Sequence, residues 1–286
     1  MPRIARALAV LAGAATLATV AAGAATVDPA ARGETLFHIG GCVNCHTAKG
    51  GATLAGGDPL RTPFGTFHPP NITPDPETGI GSWTLADFVR AMREGRAPDG
   101  MPYYPAFPYT SYHRLTDEDL ADLFAYVRSL PPVQKRTPDH DLRFPYNLRF
   151  GLYLWQWLFH DPQPFVPDPA KDPLWNRGAY LVLGPGHCAE CHTPRNWLGA
   201  LDTTRLFAGN PAGPGGDKVP GITADPENGI GRWSRDQLAF YLKVGMRPDG
   251  DFAGGEMARV IENGTSRLAD EDRLAIATFL LSLSPP

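Results

Sequence analysis

Two pentapeptides of the pattern Cys-X-X-Cys-His carry the most informative chemistry in this chain of 286 residues. They span residues 42–46 and 188–192, and together they use all 4 cysteines. In this pattern two thiols can add across the vinyl groups of one haem, and the adjacent histidine can bind the iron. The pattern predicts two covalently bound haem c groups, attached through Cys42, Cys45, Cys188 and Cys191, with His46 and His192 as proximal iron ligands.

Two other uses of the cysteines compete with haem attachment. The four thiols could form two disulfides, or the two pairs could hold a structural zinc. The pairs of a zinc ribbon usually lie about 15–20 residues apart, whereas most of a domain separates these two. Disulfides leave unexplained why a histidine directly follows each pair. Haem attachment is therefore the favoured interpretation.

The N-terminal segment indicates export. Arg3 and Arg6 precede an alanine-rich apolar run that ends in small residues near position 25. This order is typical of a secretory signal peptide, so we expect cleavage after about residues 1–25 and a periplasmic protein. The alternative is a retained membrane anchor, because the run is near the lower length limit for a spanning helix, about 17–20 residues.

The charge balance and the absence of common catalytic patterns limit the function classes. The formal net charge is −4, and it is two units more negative without Arg3 and Arg6. A nucleic-acid partner is therefore not expected. We find no Ser-His-Asp arrangement, phosphate loop or nucleotide-binding glycine pattern that rises above chance. Haem-based electron transfer remains the favoured class.

An internal repeat divides the chain. Residues 71–84 read NITPDPETGIGSWT, and residues 221–234 read GITADPENGIGRWS. The similarity continues from 98–100 to 248–250 and from 114–119 to 267–272. Each half holds one haem motif in the same order of elements, which is typical of a duplicated domain. We predict a first domain at 26–133, a connector at 134–172 and a second domain at 173–286.

Local signals favour an all-α fold. Thr84 with Asp87 and Ser234 with Gln237 have the spacing of helix N-caps. Apolar residues recur at helical spacing after them and after Thr116. With 31 Gly and 30 Pro, much of the remaining chain must form loops. The sequence therefore predicts two tandem helical domains, each wrapped around one haem.

The connector contains an apolar stretch at residues 151–159, GLYLWQWLF. It is too short to span a bilayer. Packing between the two domains is the expectation, and docking to a partner or a membrane surface is the alternative.

The sixth iron ligand differs between the halves. Met257 is expected in a loop before the last helix, where its thioether would complete His/Met coordination and raise the haem potential. In the first half the repeat puts Phe107 at this place, and phenylalanine cannot bind iron. The alternatives there are His113, its rival Met101, or an open iron, with His68 as a weaker choice.

The flanking sequences resemble a known family. The chain looks like the two-haem c-type cytochromes related to the cytochrome subunits of periplasmic alcohol, aldehyde and sugar dehydrogenases. The resemblance rests on residues 41–47, 62–66, 71–83, 104–109, 186–196 and 255–257. It implies two cytochrome c-like domains, a dehydrogenase as electron donor, and a cytochrome, oxidase or quinone system as acceptor. Some relatives carry methionine where Phe107 stands.

Three functions are compared. The first is an electron-transfer protein or subunit without a substrate of its own, and it is favoured. The second is a dihaem enzyme, such as a peroxidase, which would need an open first haem. Thiosulfate dehydrogenases share the layout but use a cysteine as an axial ligand, and here all cysteines are committed to attachment. Gas sensing is the third function, and it needs an open iron and a signalling module.

Overall fold

Helices dominate the regular structure of the computed structural model, which describes residues 28–213 and 216–286. The predicted signal peptide at 1–25 lies outside the described residues. The helices are α1 (Pro29–Ile39), α2 (Cys42–His46), α3 (Leu85–Glu94), α4 (Tyr109–Tyr112), α5 (Asp117–Ser129), α6 (Gly151–Phe159), α7 (Pro173–Leu183), α8 (Ala189–His192), α9 (Arg235–Val244), α10 (Gly255–Asn263) and α11 (Asp270–Leu280).

A small sheet departs from the all-α expectation. Strands β1 (Leu60–Thr62), β2 (Gly65–Phe67) and β3 (Asp141–Leu142) form an antiparallel sheet in the order β1-β2-β3. Gly65 has a φ of +128°, and a Cβ at this position would overlap the backbone of β3. Glycine therefore lets the connector strand approach the first half closely. The fold remains mostly helical.

The predicted helix starts at Thr84 and Ser234 are confirmed. Each side chain accepts a hydrogen bond from the backbone N–H three residues later, and the side chains of Asp87 and Gln237 return the contact. These are complete capping boxes, which satisfy otherwise unpaired N–H groups. Helices α3 and α9 therefore begin and end in the same way, each closing at a glycine in the left-handed conformation.

A crossed helix pair forms in each half. Helix α1 packs against α5, and α7 packs against α11. A Cβ on Gly33 or Gly178 would overlap the backbone carbonyl of Asp122 or Ala275 on the opposing helix. Only glycine allows the two backbones to come this close. The repeated Arg-Gly pair noted in the sequence is thus a repeated helix crossing.

Two main apolar clusters hold the halves. The first includes Leu36, Phe37, Leu54, Phe88, Leu115 and Leu120, and the second includes Leu181, Phe207, Leu238, Leu242 and Ile276. The second cluster also contains Ile39, the last residue of α1. The two interiors are therefore separate except where the end of α1 reaches into the second half.

Helix α6 connects the halves by its inner face. The indole N–H of Trp155 donates to the carbonyl of Leu198, at 2.9 Å. The amide of Gln156 donates to the carbonyls of Glu94 and Gly95, at 3.1 and 3.2 Å. The apolar stretch thus packs between the halves on one side, as expected. Among the residues that the structure describes, no helix is long and apolar enough to cross a bilayer.

Candidate haem-attachment site

The two Cys-X-X-Cys-His motifs form short helical turns. The first is α2, and the second begins at Cys188 and continues as α8. All four cysteines are unpaired. Over residues 28–213 and 216–286, no group of three or more His, Cys, Asp or Glu side chains is arranged to hold a metal ion. The local structure therefore supports neither the disulfide nor the zinc interpretation.

The motif histidines make the same hydrogen bond in both halves. The Nδ1 of His46 lies 2.7 Å from the carbonyl oxygen of Pro70, and that of His192 lies 2.8 Å from the carbonyl of Pro220. A carbonyl only accepts, so Nδ1 carries the hydrogen and Nε2 keeps its lone pair. Burial lowers the pKa of both imidazoles, which favours the neutral form. This tautomer fits an iron ligand oriented by an outer hydrogen bond.

The cysteine sulfurs line concave surfaces. Desolvation raises the pKa of Cys42 and of Cys188 to about 12. Desolvation also raises the pKa of Cys45, although this residue is exposed to solvent. Both observations hold for a side chain on the wall of an open concavity, where protein surrounds a sulfur that a probe can still reach. Such a wall of two sulfurs and one imidazole fits covalently attached haem.

The two attachment motifs lie next to each other. The guanidinium of Arg259 donates to the carbonyl of Asn44 at 2.7 Å, and the amide of Asn263 donates to its side-chain oxygen at 2.8 Å. Desolvation raises the pKa of Cys191 to about 11, and the nearby Cys45 adds to the shift. Helices α2 and α10 therefore join the first motif directly to the second half.

Met257 lies in the first turn of α10, so the expected loop is wrong at this position. The preceding Gly254-Gly255 pair is typical of a loop, but Gly254 serves as the N-cap of a nine-residue helix. Met257 is half-buried and packs against the second apolar cluster, as does Cys188. The helix thus holds the thioether on the same cluster as a haem-attachment residue.

The backbone register relates Phe107 to Met257. The N–H of Tyr103 donates to Gly95, and the N–H of Ala253 donates to Gly245, which are equivalent bonds in the two halves. Counting four residues onward from each donor reaches Phe107 and Met257. Phe107 packs against the first apolar cluster, as Cys42 does. The structural comparison therefore agrees with the sequence repeat.

The three other residues considered for the first half have different surroundings. His113 is buried, with Nδ1 2.8 Å from the carbonyl of Gln163 and Nε2 2.8 Å from the guanidinium of Arg114. Both ring nitrogens are thus engaged, and desolvation lowers the pKa of His113 to about 4. The sulfur of Met101 lies 3.8 Å from the hydroxyl of Tyr153. The backbone N–H of His68 donates to His140.

These surroundings give no support to His113 as an iron ligand, because its imidazole has no unused lone pair. The sixth ligand of the first half stays a prediction.

Comparison with known proteins identifies the family. The model of the family described as Cytochrome c matches residues 30–131. A diheme cytochrome c-type protein of Cereibacter sphaeroides is 47% identical over 256 residues, which cover 88% of this chain and 84% of that protein. This chain belongs to the cytochrome c family. Covalently bound haem c follows from that membership, and the resemblance to dihaem cytochromes is confirmed.

Two further relatives of the cytochrome are named as dehydrogenase subunits. The gluconate 2-dehydrogenase cytochrome c subunit of Pantoea cypripedii is 41% identical over 263 residues, which cover 88% of this chain and 59% of that protein. The cytochrome c subunit of alcohol dehydrogenase (quinone) from Gluconacetobacter polyoxogenes is 40% identical over 292 residues, which cover 98% and 61%. The cytochrome thus spans about three fifths of the length of these two relatives.

Glu190 is a site residue of the cytochrome that the sequence analysis missed. It is one of the two variable positions of the second motif, and its side chain is buried. Its carboxylate accepts hydrogen bonds from Thr110 at 2.6 Å and Ser111 at 3.0 Å, and it pairs with Arg195. Burial alone would raise the pKa of this carboxyl, but Arg195 and Thr110 hold it below its usual value. The second motif thereby binds the helix that follows Phe107.

We expect Glu190→Ala to lower the free energy of unfolding of the cytochrome by about 2–4 kcal/mol. The reason is that the substitution leaves a guanidinium and two hydroxyls without their shared buried partner. Denaturant unfolding near neutral pH, followed by circular dichroism, measures the loss. Glu227→Gln is the control, because Glu227 pairs with Arg232 on the surface and exposed pairs contribute little.

The same contact predicts a pH dependence. A carboxyl whose pKa is lowered by folding stabilises the protein above its usual pKa, here 4.5, and loses this contribution as the pH falls through the lower value of the folded state. The stability difference between wild type and Glu190→Gln should therefore shrink in acid. Equal losses for Glu190→Gln and Glu227→Gln at every pH would contradict the assigned role.

Proposed function

We propose that this cytochrome is a periplasmic dihaem electron-transfer protein that takes electrons from a dehydrogenase and passes them toward the respiratory chain. The observation that carries the proposal is the pair of equivalent motif histidines, each with Nδ1 bound to a proline carbonyl and Nε2 left free. One such site would serve a single haem. Two of them, in motifs that contact each other through Asn44 and α10, suit a relay within one chain.

The proposal assigns a role to each part of the chain. Residues 26–133 and 173–286 form two tandem cytochrome c domains, residues 134–172 connect them, and residues 1–25 direct export. When bound, haem supplies a one-electron iron couple. The cysteine pairs attach it, the carbonyls of Pro70 and Pro220 orient the two imidazoles, and Met257 is the sixth ligand of the second half.

The partners follow from the relatives. Their names describe cytochrome subunits of gluconate, alcohol, fructose and nicotinate dehydrogenases, and those of the alcohol enzymes include a quinone. We infer a dehydrogenase as donor and a cytochrome, oxidase or quinone system as acceptor, with peripheral membrane association. The formal net charge of −4 agrees with the expectation that nucleic acid is not a partner.

A second function has one specific observation in its favour. Phe107 stands at the position equivalent to Met257, and the surroundings of His113 and Met101 engage both of these side chains. If none of them binds iron, the first haem has an open coordination position. The alternative is therefore a dihaem enzyme, peroxidase-like or acting on another small molecule, with its chemistry at the first haem.

The visible spectrum of the reduced cytochrome with and without carbon monoxide separates the two functions. An unchanged spectrum means that both irons hold six ligands, as expected for a relay. The isolated cytochrome should also be reduced by a cognate dehydrogenase and should not consume peroxide. A spectral shift in about half of the haem, together with rapid peroxide turnover, would replace the relay by the enzyme.

A further inference from the structure

Helix α6 is apolar on both of its faces, but the chain covers only one of them. Leu152 and Trp155 point inward and are buried. Leu154, Trp157 and Leu158 recur at helical spacing on the outer face, and Trp157 is 79% exposed. A helix that is apolar all round normally lies in a protein interior or in contact with lipid. The outer face of α6 is therefore missing a partner.

The polarity of α6 is the reverse of that of an ordinary surface helix. Its only side chain with an amide, Gln156, is buried and donates to the carbonyls of Glu94 and Gly95. The outward positions, by contrast, hold leucine and tryptophan. Exposing these side chains to water has a free-energy cost that grows with their apolar area. This arrangement is stable in use only if something apolar covers the outer face.

Neighbouring residues extend the exposed surface. Phe150, directly before α6, is 70% exposed, and Phe144 and Tyr146 in the preceding turn are also exposed. Trp197 is exposed on the loop that accepts the hydrogen bond of Trp155 through Leu198. We name the set Phe150, Leu154, Trp157 and Leu158 the α6 face. Its chemistry is that of aromatic and leucine side chains without charge.

The charges beside the α6 face complement an anionic surface. Residues 142–160 contain Arg143 and Arg149 and no acidic residue, although the chain as a whole has a formal net charge of −4. Arg143 is exposed, and the guanidinium of Arg96 lies 4.6 Å from the ring centroid of Tyr153 on the same helix. A local positive charge on a negative protein favours an anionic partner at this place.

We propose that the α6 face binds the surface of an anionic lipid bilayer, with α6 lying in the interfacial plane. Protein interfaces normally include several hydrogen bonds, and the outer positions Leu154 and Leu158 have no group to form them. The acyl boundary of a bilayer requires none, and tryptophan and tyrosine are favoured at the interface. The proposal names the contact behind the peripheral membrane association in the proposed function, and it rests on that function in this respect.

Vesicle flotation of the full-length holoprotein tests the proposal. The vesicles are phosphatidylcholine alone, or phosphatidylcholine with added phosphatidylglycerol. Wild type should float with the anionic vesicles, and Leu154→Ser/Trp157→Ser should bind at least about tenfold more weakly, because two apolar anchors are lost. The matched control is Phe240→Ser/Phe252→Ser, which changes two exposed aromatic residues of the second half and should bind like wild type.

The electrostatic part has its own variant. Arg143→Gln should weaken flotation with anionic vesicles and leave binding to neutral vesicles unchanged, and added salt should act in the same direction. Equal binding by wild type and Leu154→Ser/Trp157→Ser would overturn the proposal, because all variants share the same N-terminal segment and any binding through it. Absence of flotation, with a dimer that the double substitution dissociates, would assign the face to a second copy instead.

Failure of this proposal is distinguishable from failure of the proposed function. The haem spectrum and both midpoint potentials of Leu154→Ser/Trp157→Ser should equal those of wild type, because α6 carries no attachment residue. Lost flotation with an unchanged spectrum supports the membrane contact. A wild-type protein that floats but contains no reducible haem would refute the electron-transfer function and leave the membrane contact standing.

Discussion

Replacing Cys42 and Cys45 with serine is expected to leave one covalently bound haem per chain instead of two. A serine hydroxyl does not form the thioether bonds that hold haem c, whereas the second motif keeps both of its cysteines. The mass of the intact protein should fall by one haem, and the haem absorbance per chain should fall by about half. This is the largest single effect that the site predicts.

The matched variant is Cys188→Ser/Cys191→Ser. It should give the same haem content with the other half loaded, and the two variants should differ in midpoint potential because only one of them keeps Met257. Circular dichroism shows whether each variant retains its helices. Two covalent haems in either folded variant would contradict the attachment assignment, as would a bound zinc in the wild type.

Replacing Met257 with leucine is expected to lower one of two midpoint potentials by on the order of 0.1 V or more. Axial ligands set haem potentials over a range of about 0.8 V, and a thioether raises the potential relative to water or histidine. The same variant should gain a high-spin component in its spectrum. Redox titration and absorption spectroscopy measure the two effects independently.

Met92→Leu serves as the control for this variant. Met92 is buried on α3 in the first apolar cluster and has no assigned contact with iron. Exchange of methionine for leucine nearly conserves volume, so its cost in stability is under about 1.5 kcal/mol. Both potentials should stay in place. If Met257→Leu also leaves both unchanged, another residue is the sixth ligand of the second half.

Features encoded by neighbouring residues could be predicted from the sequence. The two attachment motifs need residues only four positions apart, and the capping boxes at Thr84 and Ser234 need residues three apart. The repeated Arg-Gly pairs preceded the motifs in the sequence, although their role as helix crossings required the structure. Short-range geometry of this kind follows from local rules, so a single sequence suffices.

Features that depend on distant partners could not be predicted. Glu190 occupies a variable position, and its partners Thr110 and Ser111 lie 80 and 79 residues away. The engagement of His113 by Gln163 depends on the path of the connector. Helix α10 was hidden because its two leading glycines favour a loop, while its packing against α2 and α9 comes from the tertiary fold.

The position of Ile39 bears on how this molecule could have evolved. Gene duplication first yields two self-sufficient modules, which can be lost, exchanged or lent to other proteins. Here the last residue of α1 is part of the interior of the other half, and Glu190 anchors the opposite module in return. A chain divided at the connector would leave both products with unfilled interior positions. The duplicated modules have thus become a single heritable unit.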